Sequence, residues 1–360
     1  MTDDLYDPSI QALIEQTEDD WGDPQINRKH LVPYGLAPFD KFLYGIDTYN
    51  GELILIIGQE KQRKTTFAIN IVINFMTAES LIEKPVTIID TLESGMHPSR
   101  YRDQMLSNLA SRYLIEEEEH YPWGRCNICQ EEPCKVLRLT PEFLRYNSRN
   151  RIQKDALDYA MDEMNSWPLF IFGANPYQGN TRNLMESIRG DKVSSTSWHY
   201  KWAEDKKEAR QLSRWEYMIH EYDAKIFISD HVQQYSFGGE PSDYEKQLRA
   251  VAAIGDIVAK WNVATLLLSQ VSLTSVRETR NTAYGKLGAM GGSKGAQEAN
   301  VIFSTHYNPQ QSKNMIISIE DSRKSGAFNV RQQIEARSGA FFGKSEMFRG
   351  KVRTYEPDED

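Results

Sequence analysis

The sequence predicts an α/β protein whose mainly parallel sheet is covered by helices on both faces. Short apolar runs recur at Leu53 to Ile57, Val86 to Ile89, Leu169 to Phe172, Lys225 to Ser229, Ala264 to Ser269, Val301 to Thr305 and Met315 to Ile319. They are apolar nearly throughout instead of alternating with polar residues, as strands buried on both faces are. Segments with helical patterning separate them, which is how parallel strands are connected. The first run is followed directly by a glycine-containing loop at 58–63 and a helical segment through Met76.

The composition admits this architecture. A chain of 360 residues, 40% hydrophobic and 26% charged, can bury one large core or two modest ones and lacks the imbalance of a disordered chain. One globular domain with attachments is expected. No stretch approaches the roughly 18 to 20 apolar residues of a membrane span, and Met1-Thr-Asp-Asp-Leu5 lacks the basic start and apolar run of a secretion signal. The expected compartment is a cytoplasm, bacterial or that of a host, with no membrane partner. The three cysteines all fall between Cys126 and Cys134, an odd number in one short segment, which argues against a secreted disulfide framework and fits a reducing compartment. The formal charge of −9 means that any nucleic-acid surface must be a local basic face. The acid is concentrated at Glu18 to Asp20, Glu116 to Glu119 and Glu356 to Asp360, which leaves other faces free to be basic.

Taken in order, residues 1–35 form a tether. Within it, 8–17 carry Ile10, Leu13 and Ile14 at helical spacing, a short helix that packs either on its own domain or on a neighbouring subunit. Residues 36–345 form the core. The stretch 108–145 has no strand signal, carries all the cysteines and interrupts the strand–helix alternation, so it is assigned as an insertion, and 346–360 form an acidic tail.

Gly58-Gln-Glu-Lys-Gln-Arg63-Lys64-Thr65-Thr66 follows a strand and opens a helix. In that setting backbone N–H groups and the helix dipole cradle phosphates, a lysine neutralises the β- and γ-phosphates, and a threonine hydroxyl holds Mg²⁺. Gly58, Arg63, Lys64, Thr65 and Thr66 are therefore the candidate ATP-binding residues. The glycine usual before the lysine is replaced by Arg63, which weakens the match to a phosphate loop; a basic surface turn after a strand is the competing reading.

Val86-Thr-Ile-Ile-Asp-Thr-Leu-Glu93 delivers a carboxylate beyond the carboxyl end of a strand, where such sheets bind ligands, and Glu93 is the candidate base that orients attacking water. Lys225 to Asp230 is a buried strand ending in an acid suited to a Mg²⁺ site, and Ala264 to Gln270 ends in a glutamine able to sense the γ-phosphate. Each alone has a bland reading, as a helix-start glutamate, a turn-capping acid or an ordinary polar strand end.

In this order the segments resemble the ATPase domain of DnaB-type replicative helicases, within the RecA-like group of P-loop ATPases, from about Leu36 to Phe342. Phe39 to Leu53 resembles that family's approach to its first core strand, and Thr91-Leu92-Glu93 its Ser-Leu-Glu segment. Ser229-Asp230-His231-Val232-Gln233 is similar to its Asp-Tyr-Leu-Gln strand end, and a long helix from Tyr244 to Trp261 precedes a Leu268-Ser269-Gln270 like the family's own. Gly295-Ala-Gln-Glu-Ala-Asn-Val-Ile-Phe303 resembles its Ile-Glu-Gln-Asp-Ala-Asp segment. The resemblance implies an ATP-dependent, Mg²⁺-using hydrolase that assembles with copies of itself into a homo-hexamer or other ring and moves on single-stranded DNA in replication. It implies that Arg323 is an arginine finger reaching the next subunit's γ-phosphate; Asp321 stands where the family has a lysine, so either Lys324 substitutes or the trans site is altered. It places DNA-contacting loops at about 236–244 and 271–294, the second with Arg277, Arg280, Lys286 and Lys294, against the bland reading of a flexible solvent loop. It makes docking on a neighbour the favoured reading of the helix at 8–17. A primase or loader is a candidate partner, though no separate partner-binding domain precedes the core.

His120-x5-Cys126-x2-Cys129-x4-Cys134 has the short spacing with which thiolates converge on Zn²⁺. Two outcomes stand open, a structural zinc site with His120 or a distant residue as the fourth ligand, or free cysteines in a small loop. Two rival functions stand beside the helicase: a non-unwinding RecA-like scaffold with weakened nucleotide use, favoured by Arg63 and Asp321, and a recombinase-like filament on DNA.

Overall fold

The computed structural model describes residues 30–91, 98–123, 125–173, 214–230, 243–270, 298–307 and 313–349. The helix expected at 8–17 lies outside them. The expected α/β layering is present. A small ladder pairs β1 (Leu31–Val32) with β2 (Ile46–Asp47) around α1 (Ala37–Leu43). The main sheet begins with β3 (Leu53–Gly58), followed by α2 (Lys64–Thr77), β4 (Thr87–Thr91), α3 (Pro98–Glu116), α4 (Pro141–Tyr146), α5 (Arg151–Asn165) and β5 (Leu169–Gly173). It continues with α6 (Arg214–Tyr222), β6 (Ile226–Asp230), α7 (Asp243–Trp261), β7 (Ala264–Gln270), β8 (Val301–Tyr307), β9 (Asn314–Ser322), β10 (Asn329–Ile334) and β11 (Phe341–Phe348).

The nine strands lie in the order β11-β10-β9-β8-β3-β7-β6-β4-β5. From β8 to β5 every pair is parallel, and β9, β10 and β11 close one side as antiparallel strands. β3 sits between β7 and β8 and is buried along its whole length. Because strand side chains alternate, its residues divide between two cores. Ile54 and Ile56 join Phe39, Phe67, Met105, Leu109, Ile228, Leu268 and Phe303 on the face covered by α1, α2 and α3. Leu53, Leu55 and Ile57 join Trp215, Met218, Val251, Ile254 and Ile302 on the face covered by α6 and α7. Each such side chain removed from water contributes roughly 1.5–3 kcal/mol, and burial on both faces is why these strands read as unbroken apolar runs. Phe303 anchors the first core, its ring 5.0 Å from Phe39, 5.4 Å from Phe67 and 5.5 Å from Tyr34.

Three boundaries differ from the sequence reading. α3 runs without interruption to Glu116, so residues 108–116 are helix and the irregular segment is 117–140. The helix was hidden because the side it buries carries Asp103, Ser107, Asn108 and Ser111 among its apolar residues, which blurs the periodicity. The sheet also gains β10 and β11, which no apolar run announced. β10 alternates buried and exposed positions, with Arg331, Gln332 and Gln333 inside it, and β11, buried only at Phe341 and Phe342, carries the sheet to Phe348, into the segment assigned to the tail. No helix among the described residues is long and apolar enough to cross a membrane.

Candidate nucleotide site

Strand register brings the site together before any side chain is considered. Gly58, the last residue of β3, pairs with Gln270, the last of β7. Thr91, the last of β4, pairs with Asp230, the last of β6. Four parallel strands thus end along one edge, and α2 begins there at Lys64 with its free N–H groups and positive dipole end. This is where open parallel sheets bind ligands.

At that edge Thr65 Oγ1 donates to Asp230 Oδ2 at 2.7 Å. The two residues expected to share a magnesium ion are therefore in contact across 165 positions of sequence. The buried Tyr101 hydroxyl, from the first turn of α3, donates to the same oxygen. Lys64 Nζ donates to the carbonyls of Gly58 (3.0 Å) and Gln59 (2.9 Å), which folds the side chain back over the loop. A Cβ added to Gly58 would meet the Thr305 hydroxyl at 2.8 Å and Lys64 Cγ at 3.3 Å, so this end of the loop has room only for glycine.

Arg63 occupies its glycine-like position in the left-handed conformation, at φ 64° and ψ 29°. For a residue with a side chain that conformation costs about 1–2 kcal/mol, and the tertiary structure offsets it. The Arg63 guanidinium donates to the Ala336 carbonyl at 2.6 Å and lies 5.0 Å from the centre of the Tyr307 ring, a cation–π contact. The side chain is thus drawn sideways onto β8 and the β10–β11 turn, away from the cradle. Gln62 Oε1 accepts from the Tyr307 amide in the same place. Thr66 is buried, facing Gly339 of that turn instead of the loop interior.

A buried polar network lies beneath α2. Asn70 Nδ2 donates to Thr66 O (2.7 Å) and Gly339 O (2.9 Å), while its Oδ1 accepts from the Phe341 amide (3.0 Å). Arg112 donates to Asn70 Oδ1 and Asn74 Oδ1, both at 2.6 Å, and to Asn108 Oδ1 at 3.1 Å. Burial lowers the Arg112 pKa to about 10, partly countered by Glu116. This network fixes the phosphate-loop helix to the carboxyl-terminal hairpin. Neither it nor Tyr101 was legible in the sequence, since no local motif announces a contact between residues so far apart.

Arg323 stands at the other end of the sheet. It is exposed, it follows Ser322, and Ser322 pairs with Val301, which pairs with Ile54 near the start of β3. Four residues of strand, about 13 Å, separate that level from Gly58. Lys324 is engaged there, with Nζ 2.9 Å from both the buried Glu52 Oε2 and the Gly45 carbonyl. Lys324 thus ties the turn after β9 to the base of β3. Gln270 is at the site edge and partly exposed. Glu93, Arg277, Arg280, Lys286 and Lys294 lie outside the described residues.

A second cluster lies in the 117–140 segment. One donor atom from each of His120, Cys126, Cys129 and Cys134 falls within 4.8 Å of all the others. His120, Cys126 and Cys134 are buried and Cys129 is partly exposed.

No protein-family model and no curated protein matches the sequence. Solved structures do match in shape. A DnaB-like replicative helicase, described with its interactions with primase, superposes with a TM-score of 0.61 at 15% identity, covering 93% of this chain and 67% of that one. A second structure, of a separate ATPase domain, gives 0.58 at 14% identity, covering 93% of this chain and 99% of that one. The chain has a RecA-like fold, and in that fold it resembles the ATPase domains of DnaB-like replicative helicases.

Proposed function

We propose that the chain is an ATP hydrolase that forms a ring and moves along single-stranded DNA, separating duplex ahead of it in replication. The observation that supports this most is the Thr65–Asp230 contact at the start of α2, with Lys64 beside it. A hydroxyl and a carboxylate so placed fit Mg²⁺, and the helix N-terminus with Lys64 fits the phosphates. The ion would supply charge neutralisation at the transferring phosphoryl group.

The chain's own residues divide the remaining tasks. Lys64 holds the β- and γ-phosphates, Thr65 and Asp230 keep each other in position for the metal, and Tyr101 fixes the rotamer of Asp230. Glu93, two residues beyond the end of β4, orients the attacking water, and Gln270 reports the γ-phosphate to the loop that follows it. Arg323, too far from its own phosphate loop, serves the adjacent subunit, so hydrolysis requires assembly. Arg277, Arg280, Lys286 and Lys294 contact the DNA backbone. A primase is the candidate partner.

ATP turnover by the assembled chain, with and without single-stranded DNA, tests the proposal. DNA-stimulated turnover that Lys64→Ala and Asp230→Asn both abolish is expected. Nucleotide binding without turnover in an intact ring would favour the second reading, a nucleotide-binding scaffold. The feature favouring that reading is Arg63, whose anchored guanidinium fixes the loop in one shape.

A further inference from the structure

We propose that His120, Cys126, Cys129 and Cys134 bind one structural zinc ion, and that the ion's function is to hold the 117–140 segment as a brace for the β10–β11 turn and, through it, for Arg63 of the phosphate loop.

The donor geometry supports the ion. His120 Nδ1 is 3.5 Å from Cys126 Sγ and 3.6 Å from Cys134 Sγ, and Cys129 Sγ is 3.4 Å from Cys134 Sγ. A tetrahedron built with Zn–S near 2.3 Å and Zn–N near 2.0–2.1 Å has S···N and S···S edges of about 3.6 and 3.8 Å. Three of the six edges are close to that size, and every remaining pair lies within 4.8 Å. Three thiol sulfurs with one imidazole nitrogen form a soft donor set, and a tetrahedral arrangement of such donors suits zinc. Four protein ligands leave no open position for water, which makes the site structural. A Cys129–Cys134 disulfide is the competing chemistry; it would take two of the four donors and leave the buried Cys126 and His120 with each other.

The segment needs such a tie. Among its described residues the stretch from Glu117 to Thr140 forms no helix or strand, and its backbone hydrogen bonds are those of turns, including Gln130 N to Cys126 O at 2.8 Å and Cys126 N to Glu131 O at 2.9 Å. Val136, Leu137 and Leu139 dock on the main core together with Cys126 and Cys134, and Gln153 Nε2 donates to the carbonyls of Lys135 and Val136, so the anchoring of the segment is concentrated at the cysteines and at its carboxyl end.

What the segment holds is specific. The Cys134 carbonyl accepts from both terminal nitrogens of Arg337, at 3.3 and 3.2 Å. Arg337 Nε donates to Glu335 Oε1 at 2.8 Å, while Glu335 Oε2 accepts from the Ser338 amide (2.6 Å) and hydroxyl (2.9 Å), closing the turn. The neighbouring Ala336 carbonyl receives Arg63. A zinc ligand is thus one arginine and one turn removed from the residue that stands before Lys64. The brace bears on the loop's rigidity and holds whether or not the loop hydrolyses ATP.

The full-length chain, purified under reducing conditions, would be assayed by elemental mass spectrometry and then by amide hydrogen exchange before and after zinc is removed with a thiol-directed mercurial and chelator. One zinc per chain is expected. Removal should speed exchange on the order of tenfold in 59–66 and 335–340 as well as in 117–140. Arg337→Ala should retain the zinc yet speed exchange in 59–66 to the same extent. Cys129→His, which keeps a fourth ligand, should retain metal where Cys129→Ser loses it. A chain without zinc, or one lighter by the two hydrogens of a disulfide, would overturn the site. Faster exchange confined to 117–140 would overturn the brace. ATP turnover enters neither readout, so failure of the proposed function would show separately.

Discussion

The two ends of the central sheet are built for different tasks. At the carboxyl end of the parallel strands, polar groups face one another at hydrogen-bond distance: Thr65 with Asp230, Lys64 with its own loop, Arg63 with Ala336. At the amino end the pairing is between a buried acid and a partly exposed base, Glu52 and Lys324, with Arg323 projecting beside them. On the proposed function, the first end would receive the nucleotide within one chain and the second would supply Arg323 to a neighbouring one, so the strength of catalysis would depend on assembly while nucleotide affinity would be a property of one subunit.

The largest expected effect breaks that division directly. Arg323→Ala should reduce turnover by on the order of 10³-fold or more, leaving nucleotide affinity in a binding titration within a few-fold of the parent. Mixing Arg323→Ala with Lys64→Ala chains should restore part of the turnover, because mixed rings contain sites with an intact loop and an intact finger. No recovery, in mixtures shown to co-assemble, would place Arg323 outside catalysis.

A smaller effect concerns the seat of the finger. Lys324→Met leaves Glu52, which is 1% exposed, without its cation, and should cost about 2–3 kcal/mol in denaturant unfolding. Burial already raises the Glu52 pKa, and Lys324 holds it down, so the variant should recover part of the loss at acid pH as Glu52 takes up a proton.

The next effect is a pH dependence along β8 and β9. Ser304 Oγ lies 2.9 Å from His306 Nε2 and hydrogen-bonds Glu320. Burial raises Glu320 to about 7 and lowers His306 to about 4. Ser304 Oγ donates to Glu320 Oε1, and its oxygen can accept from His306 Nε2 in the tautomer that carries the proton there. Above the unfolded carboxylate pKa the folded state holds the Glu320 proton more tightly than the unfolded chain, so this group's stabilisation falls from about pH 4.5 to 7. His306 acts oppositely. The unfolded chain binds its proton more readily, so stability rises from about pH 4 to 6.5. The two slopes largely cancel. Glu320→Gln should uncover the His306 slope, with stability rising across that window by on the order of 1–3 kcal/mol; a flat profile in thermal unfolding would discard this assignment.

The smallest effect is at Arg63. Arg63→Gly relieves the left-handed backbone and removes the tie to Ala336, so global stability should change by about 1 kcal/mol or less. Exchange of the loop amides should nonetheless quicken. Unchanged loop exchange would show that the loop's shape does not depend on this side chain.

The sequence made one kind of structure legible and concealed another. Apolar strands carry their own signature, so β3 to β9 were each located, with ends displaced by up to three residues. The phosphate loop, Asp230 and Gln270 followed because each is a strand end, and strand ends of a parallel sheet share an edge. The cysteines were visible through spacing alone, and His120 joined them. What stayed hidden depends on pairing across the chain. β10 resembles a polar loop because only alternate residues are buried, and α3 was cut short because its inward side is rich in amides and hydroxyls. The role of Arg63 was the least legible of all. Its left-handed backbone could be guessed from the glycine it replaces, but the carbonyl and the ring that hold its side chain could not.

The tie from Arg63 to Ala336 joins positions 273 residues apart. β3, although first of the main sheet in the chain, has both its neighbours in the second half of the sequence. On an emerging polypeptide, therefore, the phosphate loop is synthesised early and finished late. Its strand waits for β7 and β8, and its last anchor waits for the hairpin that ends the sheet. A chain halted short of residue 336 would have every residue of the loop, and Tyr307, but not the carbonyl that receives the Arg63 guanidinium.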